Sequence, residues 1–182
     1  VLGLFNHQFY LQYHRDFTHS LLLIPFYSLF FSWLFVKISK RPYLWNFYKI
    51  CFPVLLSHVL LDLLTSYGTM IFSPFFEHRF AWDLVFIIDL IFSGIIILPL
   101  LASLFLKRGA RWICRGSLIG LAAYIFFCWF QHGQALREVR GFSKGLTEEV
   151  IQIAAMPQPV SPFRWALDVE TGDKVFQGFV EL

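Results

Sequence analysis

Four long stretches of this chain are almost free of charged residues, and no other feature limits its possible folds as much. They run from about Phe17 to Val36, Lys49 to Thr65, Leu84 to Leu106 and Ile113 to Phe130. A helix crossing a bilayer core of about 30 Å takes about 20 residues, so each stretch is close to one crossing, the fourth slightly short. Soluble domains hold about 45–50% apolar and about 25% charged residues. Here 57% are hydrophobic and 15% charged. That balance nearly rules out a conventional soluble globule, and excludes disorder, collagen and coiled coil. The expected fold is an all-α multi-pass membrane bundle of about four visible spans with a small extramembrane α+β C-terminal tail. Two other apolar segments are rejected as spans: Met70–Phe76 is short and holds Pro74, while Leu2–Tyr13 contains Asn6, His7 and Gln8 and suits the interface.

The loops set an orientation. The loop after the first stretch carries Lys37, Lys40, Arg41 and Lys49 without an acid. The loop after the third carries Lys107, Arg108, Arg111 and Arg115, again without an acid. The loop from Tyr67 to Asp83 has Arg79 against Glu77 and Asp83, and the N-terminal segment has Arg15 against Asp16. Positive loops stay cytoplasmic, which places the N-terminal segment, the second loop and the tail outside. The net charge of +3 gives no basis for a nucleic-acid partner. Cys51, Cys114 and Cys128 form no paired framework and no CxxC spacing, so they read as apolar fillers. The chain starts at Val1 without a signal peptide, and an upstream segment is expected to be missing.

Composition changes at residue 133, dividing a helical membrane domain, 1–132, from an extramembrane tail, 133–182. The tail holds 5 of the 15 basic and 7 of the 12 acidic residues. Thr147, followed by Glu148 and Glu149, predicts a short helix through about Ala155, stopped by Pro157 and Pro159. Phe163–Val169 and Lys174–Val180 predict two strands around Thr171-Gly172-Asp173.

Polar residues inside or beside the apolar stretches point to function, because ionisable groups are costly there. His58 and Asp62 are four residues apart and share a helix face, which Thr65 continues. They can ligate a metal together, or the carboxylate can orient the imidazole, or the pair can only hold helices together. His14-Arg15-Asp16-Phe17-Thr18-His19-Ser20 stands at the mouth of the first stretch, with ligands suited to zinc, manganese or iron. Arg15 can hold an anion, and Thr18 or Ser20 can cap a helix; the bland alternative is a polar collar. Asp83 stands at the mouth of the third stretch, and Asp89 about 9 Å deeper at helical rise. His78 and His132 read as interface residues, and Gly68 as the C-cap of the second span. Topology brings the three clusters to one depth on one side, which suggests metal-assisted hydrolysis. No P-loop, Rossmann, GxSxG or HExxH pattern occurs.

The blocks His14-Arg15-Asp16-Phe17-Thr18-His19-Ser20 and His58 through Asp62 to Thr65-Ser66-Tyr67-Gly68-Thr69, followed by Trp82-Asp83 and Asp89, resemble the signature of the YdjM-like family. These are LexA-regulated, membrane-bound predicted metal-dependent hydrolases of bacteria and archaea. The resemblance covers about residues 10–95 and the alternation of later spans, and Pro162-Phe163-Arg164-Trp165 is similar to the tail of one branch. It implies a multi-pass protein of the bacterial or archaeal cytoplasmic (inner) membrane, with metal ligands at His14, His19, His58 and Asp62. Family members usually carry a further span upstream.

The combined expectation is a hydrolase using one or two divalent ions, zinc foremost, with manganese or iron as alternatives. Arg15 would stabilise anionic charge, and Asp83 or Asp89 would orient a ligand or act as base. Asp16, Thr18, Ser20 and Thr65 would support the site. Membrane lipids are the expected surroundings, and a phosphoester or lipid-linked molecule the expected substrate at the outer face. The rivals are an ion or solute transporter and a non-catalytic stress-response protein whose His/Asp cluster only ties helices.

Overall fold

The computed structural model describes residues 17–106 and 109–182. It divides into two compact units, with the boundary between Trp82 and Asp83.

In the first unit, Phe17–His19 forms one 3-10 turn and α1 runs from Ile24 to Ser39. Helix was expected from Phe17. It starts later because Pro25 falls in its first turn, where a missing N–H breaks no intrahelical bond. Lys40, at φ 55, ends α1 in the left-handed region. After residues 40–43 the chain enters α2, Leu44–Leu63. The two helices pack as a hairpin, with the Phe35 and Phe47 ring centroids 5.8 Å apart. Ser28 and Ser32 are buried on α1 and donate their hydroxyls to carbonyls one turn back. Such small side chains let neighbouring helices approach. Ile24, Val59, Leu63 and Ile71 form the core.

The segment after α2 folds back onto both helices. Thr69 and Phe80 make an isolated antiparallel bridge. The Leu21 N–H donates to the Ile71 carbonyl at 2.9 Å, and the Trp82 N–H to the Leu63 carbonyl at 2.8 Å. The buried Ser20 hydroxyl donates to the Ser73 carbonyl. Gly68 is not the expected helix cap. The helix has already ended at Leu63, and Gly68 turns the loop at φ 74, where a Cβ would lie 3.0 Å from Cβ of Arg79.

In the second unit, α3 is Leu90–Phe105 and α4 is Ala110–Ser143. Helix was expected from Leu84, with Asp89 well inside it. Residues 84–89 instead precede the helix, and Asp89 is its N-cap, accepting from the Phe92 N–H at 2.8 Å. A side-chain carboxylate satisfying a first-turn amide is a strong reason for a helix to start there. The Ser117 hydroxyl donates to the Ile95 carbonyl at 2.6 Å, tying α4 to α3. The 34 residues of α4 span about 51 Å at helical rise, well beyond a core of about 30 Å. Its buried residues Tyr124, Cys128, Gln131, Ala135 and Val139 follow at spacings of three and four, so one face is covered along this length. The helix passes without a break through the compositional boundary at residue 133.

The tail is a three-stranded antiparallel sheet in the order β1, β2, β3. Its strands are Val150–Gln158, Ser161–Thr171 and Val175–Glu181. Leu167 pairs with Ala155 on one side and Gly178 on the other. The sheet packs on the end of α4 through Ala135, Ala155 and the fully buried Trp165. The expected strand pair around Thr171-Gly172-Asp173 is present, but the expected helix from Thr147 to Ala155 is not. Glu148 turns away from the following amides: it accepts from the Thr171 hydroxyl at 2.9 Å and pairs with Lys174 at 2.7 Å. With β2 available as a partner, Val150, Ile151 and Ile153 take the extended conformation that β-branched residues favour.

Among the described residues, α2 and α4 are long and apolar enough to cross a membrane, while α1 and α3 are shorter apolar helices of 16 residues.

Candidate metal centre

The segment leading into α1 is fixed before it reaches α2. The bonds from Ser20 to Ser73 and from Leu21 to Ile71 hold its backbone, and His19 stands directly before them. On α2, His58 and Asp62 are one turn apart, so both side chains leave the same face. His19 Nε2 lies 3.2 Å from Asp62 Oδ2, and His58 Nε2 lies 4.0 Å from the same oxygen. The two imidazole centroids are 5.2 Å apart, tilted by 42°. One ligand atom from each of the three residues falls within 4.8 Å of the other two.

Burial is uneven. The side chains of His19 and Asp62 are 16% and 14% exposed, while that of His58 is 61% exposed. The cluster therefore has a closed side and an open side. Thr18 Oγ1 lies 2.8 Å from Nδ1 of His19. With Nδ1–H donating to this hydroxyl, Nε2 carries the lone pair that a metal would take; in the other tautomer Nδ1 accepts from the hydroxyl and Nε2–H donates to Asp62. Metal-bound histidines are usually oriented by a bond of this kind at the second nitrogen.

The donor set fits a divalent ion. Two imidazole nitrogens and one carboxylate are the three protein ligands of many catalytic zinc sites, which keep a fourth position open. Tetrahedral bonds of about 2.0–2.1 Å separate ligand atoms by about 3.3 Å, close to the 3.2 Å between His19 and Asp62 and shorter than the 4.0 Å between His58 and Asp62.

The other expected site residues are distributed differently. His14, Arg15 and Asp16 lie outside the described residues. Ser20 points its hydroxyl into the backbone of the following loop, and the Thr65 hydroxyl donates to the Asp62 carbonyl at 2.8 Å; both support the local fold. Asp83 and Asp89 belong to the second unit. Asp89 gives one oxygen to the α3 cap and accepts the Tyr124 hydroxyl on the other at 2.6 Å. Tyr124 was not singled out in the sequence, although an aspartate beside an apolar helix demands a partner. His78 rests edge-on against Phe80, centroids 4.7 Å apart, and Arg79 donates to the Gly68 carbonyl at 3.5 Å. The ring of His132, set aside for want of an acidic neighbour in sequence, lies 5.4 Å from that of Trp165.

Apolar helices with outward-facing large side chains and a His–His–Asp cluster able to hold a metal ion are features in keeping with a helical membrane protein. The family model described as YdjM inner membrane protein matches residues 2–135, and the chain belongs to that family. It is also similar to the uncharacterized protein YfhP of Bacillus subtilis (strain 168), at 26% identity over 187 residues, covering 98% of this chain and 53% of that protein. The chain thus spans about half the length of the curated relative it matches. No solved structure matches it.

Proposed function

We propose that the chain is a membrane-bound metal-dependent hydrolase whose centre is built on His19, His58 and Asp62. The observation that carries this reading is the convergence of the three ligand atoms within 4.8 Å, drawn from two segments far apart in sequence. A divalent ion there, zinc before manganese or iron, supplies Lewis acidity to an ester oxygen and to water. The protein's part is to hold and orient. Asp62 and His19 anchor the closed side, Thr18 fixes the imidazole of His19, and His58 borders the open side where substrate enters. By sequence, His14 adds a ligand and Arg15 holds an anionic group. A phosphoester, free or lipid-linked, suits both the arginine and a membrane location. The proposal extends to four crossings, with the basic loops inside and the cluster toward the outer face, because the loop charges favour that order.

One observation favours a different reading. At 3.2 Å, His19 and Asp62 can bond directly, as a tie between the α1 entry and α2. Assay of the detergent-purified chain against aryl and lipid phosphoesters separates the two. The hydrolase reading expects turnover that chelation abolishes and added zinc or manganese restores, with none from His58→Ala. A folded chain that turns over no ester under any metal would leave the tie as the function of the cluster.

A further inference from the structure

The turn between α1 and α2 carries an unbalanced charge. No acidic residue occurs between Phe17 and Leu61, while Lys37, Lys40, Arg41 and Lys49 gather around residues 37–49. All four are exposed, and among the described residues none forms an ion pair. The C-terminal carbonyls of α1 account for Lys37 and Lys40, since cations are favourable at that end of a helix. They do not account for Arg41 and Lys49. Arg41 precedes α2 and Lys49 is its sixth residue, both near the positive end of the helix dipole, where the first turn holds no acid and no side chain caps the amides. Among the described residues, no acidic side chain pairs with the positive charge at this end. Aromatic side chains surround it: Trp33 is 50% exposed, Tyr43 54% and Trp45 67%, and Lys37 Nζ sits 5.8 Å from the Trp33 ring centroid. Exposed Trp and Tyr beside basic residues at the ends of apolar helices are the signature of the headgroup layer.

We propose that the α1–α2 turn is a binding site for anionic phospholipid headgroups, with Lys40 and Arg41 at its centre and Lys37 and Lys49 at its flanks. The charge calls for a phosphate. The aromatic rim and the apolar helices leading from it call for one that carries acyl chains. The site is separate from the His19, His58 and Asp62 cluster and stands whether or not that cluster binds metal.

The test is lipid selectivity of the full chain in phosphatidylcholine vesicles doped with spin-labelled phosphatidylglycerol or spin-labelled phosphatidylcholine. The protein-restricted fraction of each label gives a relative association constant. Each cation near an anionic surface contributes about fivefold in affinity, so the native chain should prefer phosphatidylglycerol at least severalfold. Lys40→Gln/Arg41→Gln should bring the ratio close to one, while Arg137→Gln/Arg140→Gln, which removes the same charge elsewhere, should leave it unchanged. Lys37→Gln/Lys49→Gln provides a second, partial loss should the first pair fail to fold by circular dichroism. A native ratio near one overturns the site, and so does an equal loss in the control pair. Complete displacement by millimolar inorganic phosphate would overturn the lipid as its occupant.

Discussion

Asp62 holds the first unit's polar centre together, because His19 and His58 both approach its Oδ2. Thr18 is the residue through which the imidazole of His19 is set. Thr18→Val should therefore weaken zinc binding about 10–100-fold, the usual range for an outer-shell partner of a metal ligand, and Thr18→Ser should restore it. Equal zinc affinity in all three proteins would remove Thr18 from the centre. In the second unit, Tyr124→Phe leaves an oxygen of Asp89 without its donor. An unsatisfied, partly buried acceptor costs about 1–3 kcal/mol, so thermal unfolding in detergent should shift downward. An unchanged midpoint would mean that water replaces the hydroxyl. The His58–Asp62 pair was legible from sequence because helical spacing alone puts both on one face. The join of His19 to that pair was expected from topology and from the family resemblance, not from any local pattern; in the structure the Ser20 and Leu21 bonds to the loop after α2 hold the segment that carries His19.

Among the elements, α4 and the sheet form the clearest case of packing carried across a change of surroundings. Ala135 is fully buried against Ala155 and Trp165, so Ala135→Leu should overpack the joint and destabilise it by about 1–3 kcal/mol. Faster amide exchange in β1 and β2, with α3 unaffected, would show this; unchanged exchange would contradict the packing. Glu148 and Lys174 give the sheet a pH dependence. The hydrogen bond from Lys174, then that from Thr171, holds the Glu148 carboxyl below the ordinary carboxylate range. A carboxyl lowered on folding contributes stability above its unfolded pKa and loses it as pH falls through the folded one. Exchange protection around the β2–β3 turn should thus fall on acidification in the native chain and change less in Glu148→Gln. Matching pH profiles would rule out the pair as the cause. The β2–β3 hairpin was readable from Thr171-Gly172-Asp173 and the strand residues around it. β1 was not, because Thr147-Glu148-Glu149 reads locally as a helix start, and only the fold supplies Thr171, Lys174 and an open strand edge. Helix starts erred for a related reason. Apolar composition marks where a chain can be buried, whereas Pro25 and Asp89 mark where a helix begins.

At the largest scale, the family match places the chain among inner membrane proteins, its apolar helices are in keeping with that, and the proposed function requires that His19, His58 and Asp62 bind an ion. Composition and loop charge made the membrane class plain, since 57% hydrophobic and 15% charged residues leave little else. The division at Trp82 and Asp83 was hidden, because the apolar character continues across it. Elemental analysis of the detergent-purified chain, beside His58→Ala and Asp62→Ala, tests the claim most directly. Near-stoichiometric zinc, manganese or iron is expected in the native chain, with loss in both variants and helical content retained. A native chain that takes up no metal even after supplementation, or variants that keep it, would rule out His19, His58 and Asp62 as an ion site.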